Sequence, residues 1–205
     1  MKKIDYKKDL KHLYKASAKK ADIVEVPVMN FLMIDGQGNP NSSERFQQGV
    51  EMLFGLSYTL KFIIKKGDLQ TDYGVLPLEG LWWTDDMADF SVEKKDDWKW
   101  IAMIMQPELV SEDLVTEARG QLRKKKKTDF VDEVRYGSYK EGRAAQIMHI
   151  GPFEKEGPTI EKLHQFIEDS GYQLSGKHHE IYLSDIRRAA PAKWRTIIRQ
   201  PFASS

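Results

Sequence analysis

The chain has 205 residues, no cysteine, 40% hydrophobic and 31% charged residues, with 32 Lys+Arg set against 31 Asp+Glu. That composition excludes disulfides, thiol nucleophiles and Cys-ligated metal centres, and a net charge of +1 supplies no global field for nucleic acid or an anionic membrane surface. No apolar run approaches the roughly 18 residues of a membrane span, and the opening Met1-Lys2-Lys3-Ile4-Asp5-Tyr6 lacks the apolar core of a signal peptide, so a cytoplasmic location is expected.

In chain order, Asp5 to Ala16 carries Tyr6, Leu10, Leu13 and Tyr14 at helical spacing and predicts a helical N-terminal arm over residues 1–20. Ile23 to Ile34 predicts a strand closed by a turn at Asp35-Gly36-Gln37-Gly38-Asn39-Pro40. Ser42 or Ser43 caps a long helix with Phe46, Val50, Leu53, Phe54, Ser57, Leu60 and Ile64 on one face, stopped at Gly67-Asp68. Tyr73 to Trp83, interrupted by Pro77 and Gly80, and Trp98 to Gln106 read as strands joined by a polar connection from Asp85-Asp86 to Asp96-Asp97. Ser111 opens a second helix whose last turn is Arg123 to Lys127, a placement that suits the helix dipole. Val131 to Tyr139 is a further strand or an extended linker. Then come a strand from Ala144 to Ile150, a helix from Thr159 to Asp169, and strands from His179 to Ser184 and Lys193 to Gln200.

The order strand–helix–strand–strand thus occurs twice, and fragments of sequence recur with it. Trp100 to Gln106-Pro107 matches Trp194 to Gln200-Pro201, each Trp standing six residues before a Gln-Pro stop. Leu81-Trp82-Trp83-Thr84-Asp85 pairs with Ile181-Tyr182-Leu183-Ser184-Asp185. The expected fold is α+β: a tandem strand–helix–strand–strand repeat with pseudo-two-fold symmetry and a central ligand cleft. The two repeats span about 21–108 and 109–205 within a single domain, forming two antiparallel sheets or one continuous curved sheet, with helices on one face and an open concave face on the other.

Alternation in His179-Glu180-Ile181-Tyr182-Leu183 sets Glu180 and Tyr182 opposite Ile181 and Leu183. Ile181 and Leu183 are expected under the helices, leaving the carboxylate and phenol on the open face. From the strand pattern alone, a solvated edge glutamate is the plainer reading. The duplication shifts that balance, because the matching strand offers Trp82 and Trp83. Walled in by rings, Glu180 is expected to have a raised pKa and to act as an electrostatic or general-base group. Trp82, as the counterpart of Tyr182, is expected in the cleft and Trp83 on the other side, with Tyr73 adding a further ring. Met33 and Met105 would add deformable wall, although core packing is the commoner fate of a methionine. His149, before Gly151-Pro152, is a structural histidine or a ligand contact. His178 and Glu180 alone do not make a metal site, and no dinucleotide or phosphate-binding fingerprint is present, so neither metal nor cofactor is expected.

Phe31 to Gly38, Leu78-Glu79-Gly80-Leu81-Trp82-Trp83, Met148-His149-Ile150-Gly151-Pro152, His179 to Asp185 and the closing Trp194 to Pro201 together resemble the GyrI-like small-molecule-binding family over about residues 20 to 202. The resemblance implies a cleft whose base carries the Glu of the Glu-Ile-Tyr strand, here Glu180. It also implies kinship with effector-binding domains of multidrug-responsive activators, and with stand-alone members that hydrolyse cyclopropane-bearing alkylating compounds. The expected function is binding of small hydrophobic or aromatic molecules, cationic ones included, with hydrolysis of cyclopropanoid electrophiles as an added capability. Glu180, Tyr182 and Glu79 are the catalytic candidates. Trp82, Trp83, Tyr73, His149, Met33 and Met105 are the ligand-binding candidates. The alternatives are a non-catalytic sequestering or sensing module, and a protein inhibitor of the gyrase type. The expected partner is a small molecule, with no direct nucleic-acid or membrane contact, the protein being a monomer or homodimer.

Overall fold

The computed structural model describes residues 1–87 and 94–204. Strand β1 (Lys2–Ile4) leads into two short helices, α1 (Tyr6–Asp9) and α2 (Lys11–Tyr14). Strands β2 (Asp22–Val26) and β3 (Met29–Gln37), helix α3 (Glu44–Lys66), and strands β4 (Thr71–Tyr73), β5 (Leu78–Trp83) and β6 (Lys99–Gln106) follow. The remainder is helix α4 (Glu112–Lys126), strands β7 (Arg135–Tyr139) and β8 (Gly142–Ile150), helix α5 (Gly157–Asp169), and strands β9 (Tyr172–Leu174), β10 (His178–Tyr182) and β11 (Arg195–Ser204).

The caps fall where the sequence puts them. Ser43 accepts from the Phe46 N–H at the start of α3, and Ser111 accepts from the Leu114 N–H at the start of α4. Proline redraws two of the expected strands. The single strand expected from Ile23 to Ile34 is cut at Pro27 into β2 and β3, and the one from Tyr73 to Trp83 is cut at Pro77 into β4 and β5, since proline cannot donate to a ladder. The N-terminal arm is two single turns rather than one helix, and its first residues add β1, parallel to β4. In the polar connection before β6, residues 88–93 lie outside the described residues.

Eight strands form one sheet in the order β2-β8-β11-β10-β5-β6-β3-β7, with β9 attached to β11. Outward from the central pair β5·β10, one side runs β6, β3, β7 and the other β11, β8, β2, so the order of roles is palindromic. The strand leading into β3 pairs with β8, and the strand leading into β8 pairs with β3. Each half is therefore edged by a strand contributed from the sequence of the other.

Register fixes which residues share a face. Ile34, Ala102, Gly80, Glu180, Ile198 and Ile147 form one row across six strands. This is the helix side: a Cβ on Gly49 of α3 would strike Ile34, and Ile147 and Ile198 join Leu163 and Ile167 of α5 in one apolar cluster. Helix α3 packs over β3 and β6, and α5 over β8 and β11, which leaves β5 and β10 between them.

This corrects the expected division of faces. Glu180 and Tyr182 lie on the helix side, whereas Ile181 lies on the other, in the row Met33, Met103, Glu79, Ile181, Ile197 and Met148. That second face is not open. The N-terminal arm lies against it: the Leu13 carbonyl accepts from Arg199, the His12 carbonyl accepts from Gln146, and the Tyr14 hydroxyl donates to Glu79. Alternation predicts that the two sets oppose each other; it does not say which side a helix will cover.

Candidate functional site

The row beside Glu180 is Leu32, Ile104, Leu78, Tyr182, Thr196 and His149, and the row on its other flank is Gly36, Trp100, Trp82 and His178. Strand period therefore brings Tyr182, Glu180 and His178 into one line down β10, facing the space between α3 and α5. Gly80, directly opposite Glu180, explains how Trp82 fits: a Cβ there would come within 2.7 Å of the indole Nε1. The glycine lets the Trp82 ring fold down over the strand toward the carboxylate.

Two groups of rings flank the line. On the α3 side Trp82 meets Phe46 at 5.7 Å and Trp98 at 5.3 Å between ring centres. On the α5 side Phe153 meets Tyr182 at 5.6 Å and Trp194 at 4.9 Å. Between them the Tyr182 hydroxyl donates to Glu180 Oε2 at 2.6 Å, and His178 Nε2 stands 3.1 Å from Glu180 Oε1.

A second carboxyl completes the group. Glu156 occupies the N-cap position of α5, where Ser, Thr, Asp or Asn usually serves. Its side chain makes no capping bond and instead faces Glu180 and Thr196. Burial, the Glu180 charge and the carboxyl–carboxyl contact push the Glu156 pKa up from an ordinary 4.5 to about 9, so it carries its proton at neutral pH. At Glu180 burial also works upward, but His178, the Tyr182 hydroxyl and the charge of Lys95 outweigh it and hold that carboxyl low. Burial and the neighbouring Glu180 raise the Tyr182 phenol well above its usual range. The sequence expectation of a raised pKa at Glu180 is thus corrected. The two acids divide the roles, Glu180 ionised and Glu156 protonated. Pairs of carboxyls pushed apart in this way are the arrangement used for acid and base work at one pH. Glu156 Oε1, Thr196 Oγ1 and Trp82 Nε1 are buried without a hydrogen bond of good geometry, and all three lie in this group.

The other candidates separate by face. Trp82 stands with Glu180, whereas Trp83 is on the far side of β5, where Lys177 Nζ sits 4.1 Å from its ring centre. Glu79 also lies on the far side, bonded to Tyr14 and to His179 Nε2 at 2.9 Å, and is not brought to Glu180. Met33 and Met105 are buried on that same far face and do not line the group. Tyr73 belongs to the small β1·β4 sheet and packs edge-on against Tyr6. His149 shares the Tyr182 row, but both its nitrogens are engaged. Nε2 stands 3.3 Å from the Pro152 carbonyl, and Nδ1 stands 3.0 Å from the Thr159 hydroxyl. That histidine pins the start of α5. Glu156, Trp98, Phe153 and Thr196 are members that sequence reasoning missed. The one signal available was a glutamate at a helix start where a capping residue is the norm.

The sequence pattern of the GyrI-like small-molecule-binding domain matches residues 19–202. The chain belongs to the GyrI-like family. Among solved structures this GyrI-like chain is similar to a conserved protein of Listeria innocua at 39% identity and TM-score 0.90, covering 98% of this chain and 100% of that one. A hydrolase of Listeria innocua is similar at 38% identity and TM-score 0.85, with the same coverage. The EcmrR C-terminal domain, at 14% identity and TM-score 0.56 over 91% of this chain and 98% of that one, shares the fold. No functionally curated protein gives a significant match.

Proposed function

We propose that the protein binds a small hydrophobic, ring-bearing molecule over β5 and β10, between α3 and α5, and hydrolyses cyclopropane-bearing electrophiles there. The observation that carries this reading is the Glu156–Glu180 pair: one protonated and one ionised carboxyl, buried side by side among aromatic rings. GyrI-like membership supports the binding half, and the name of the Listeria innocua relative as a hydrolase supports the catalytic half.

The proposed step balances as follows. Glu180 takes a proton from a water whose oxygen bonds to a ring carbon of the cyclopropane. The bond from that carbon to the ring carbon conjugated with the carbonyl breaks, and its electron pair flows into the carbonyl. Tyr182 steadies the charge growing on that oxygen, and Glu156 delivers the proton that completes the product. The proton gained by Glu180 then passes to Glu156 across the carboxyl–carboxyl contact, restoring the starting pair. Glu79 takes no part, being on the opposite face of β5.

The test is incubation of wild type and Glu180→Gln with a cyclopropane-bearing enone, followed by mass analysis for gain of one water. Loss of the positioned base should lower turnover by about 100-fold or more. An unchanged rate in the variant rejects the mechanism. Recovery of unchanged ligand from a wild-type protein that still binds it selects the sequestering or sensing module instead.

A further inference from the structure

The charge of a lysine acts on both members of the Glu156–Glu180 pair. Lys95 belongs to the short turn Lys95–Asp97 that leads into β6, where the Trp98 N–H bonds to the Lys95 carbonyl. From that turn its Nζ reaches over the Trp98 ring, 5.4 Å from the centre. Trp98 is buried and packs against Trp82 with the two rings inclined at 55°, and Trp82 lies over Gly80 beside Glu180. A continuous ladder thus runs from Lys95 through two indoles to the ionised carboxylate, and the lysine charge is felt at both Glu180 and Glu156.

We propose that Lys95 is a resident cation that fills the cation subsite of this aromatic wall and makes the site select neutral over positively charged ligands. An indole face beside a carboxylate is the arrangement that attracts an organic cation, through the ring quadrupole and direct charge. Here the face of Trp98 already carries an ammonium. Glu156 is neutral, so Glu180 is the negative charge of the carboxyl pair, and His178 together with Lys95 offsets it. An incoming cation would meet the lysine charge and a carboxylate already balanced. A neutral, polarizable ligand meets rings and two hydrogen-bonding acids with no such penalty. Selectivity of this kind works by a built-in repulsion as well as by attraction. The inference rests on the proposed binding reading and sharpens its ligand class to uncharged electrophiles.

The test uses a shape-matched pair, acridine and N-methylacridinium, in equilibrium dialysis at pH 8 against full-length wild type, Lys95→Met and Lys95→Arg. Methionine keeps the length of the stem and removes the charge. Wild type should bind acridine at least tenfold more tightly than the cation. Lys95→Met should tighten N-methylacridinium at least tenfold while leaving acridine within about twofold, and Lys95→Arg should restore the wild-type preference. Binding of both ligands with no change in Lys95→Met overturns the role of Lys95 alone, as does a wild-type preference for the cation. Failure of both ligands to bind any of the three proteins overturns the small-molecule reading of the site and the role of Lys95 with it.

Discussion

Strand β10 presents adjacent histidines to opposite faces of one sheet, and the two faces use the same residue types to different ends. On the helix side His178 and Tyr182 both contact Glu180. On the side of the N-terminal arm His179 and Tyr14 both contact Glu79. The difference lies in what completes each set. Behind His179 stands Glu141, 2.8 Å from Nδ1, and behind Glu141 stands Arg199, at 3.1 Å, which also bonds Gln146 and the Leu13 carbonyl. Two acids there face two bases, and among the described residues the side chains of Glu79, Glu141, His179 and Arg199 leave no buried polar atom unpartnered. On the helix side the second acid is Glu156, which faces Glu180 and Thr196, and among the described residues no arginine joins the pair. A closed, charge-balanced network holds structure together, whereas two carboxyls pressed together so that one keeps its proton and the other does not is a pairing typical of functional sites.

The largest effect should come from breaking the balanced side. Arg199→Met removes the one guanidinium that neutralises Glu141 and also abandons the Gln146 and Leu13 acceptors. Removing one partner of a buried ion pair costs about 3–5 kcal/mol, so the urea midpoint should fall steeply. Ligand affinity, measured on the protein that remains folded, should hold. If Arg199→Met is nearly as stable as wild type, the assignment of this network to stability is wrong.

Titration separates the two sides further. Burial alone would lower the His179 imidazolium, but Glu141 and Glu79 overcome it and hold its pKa at about 9 against an ordinary 6.5. Glu156 is also raised to about 9, there by burial and Glu180, from an ordinary 4.5. In both cases the folded state keeps a proton that the unfolded chain has released, so stability falls as pH rises toward 9. The loss begins above about 4.5 through Glu156, steepens above about 6.5 when His179 joins, and each retained proton contributes up to about 1.4 kcal/mol per pH unit. Urea midpoints at half-unit steps from pH 5 to 9 should show this decline. Glu156→Gln should flatten the part between 5 and 6.5 and leave the His179 part in place. A midpoint that rises with pH contradicts both assignments.

Much of this was legible from residue spacing, and the failures have a common origin. Alternation along β10 correctly grouped Glu180 with Tyr182, and the repeat correctly put Trp82, rather than Trp83, on their face. The cap at Ser111 was equally plain and the first cap was narrowed to Ser42 or Ser43, because a capping side chain acts within its own helix. What could not be read was anything that depends on which segment covers a face. The arm that closes over Glu79 is more than sixty residues away in sequence, and Glu141 and Arg199 meet His179 only through the order of the strands. Met33 and Met105 looked like a deformable wall because methionine suits both a pocket and a core, and here the register places both in the core. Glu156 was hidden for a different reason. Its only local mark is that it stands where a capping residue is the norm, and its role emerges only once α5 is laid beside β10.

The smallest predicted effect concerns Lys177, which stacks on Trp83 across the sheet from Trp82. Partial burial, opposed by Asp35 and assisted by Arg135, lowers the ammonium pKa, yet the contact is half-exposed and its worth should not exceed about 1 kcal/mol. Lys177→Met keeps a polarizable stem over the ring, so part of even that is retained. The variant should therefore shift the urea midpoint slightly and leave the acridine preference of the wild type untouched. It is the matched control for Lys95→Met: the same chemical change, again over a tryptophan, on the opposite face of the same sheet. If Lys177→Met altered ligand selectivity as much as Lys95→Met does, charge would be communicating through β5, and the division of labour between the two faces would fail.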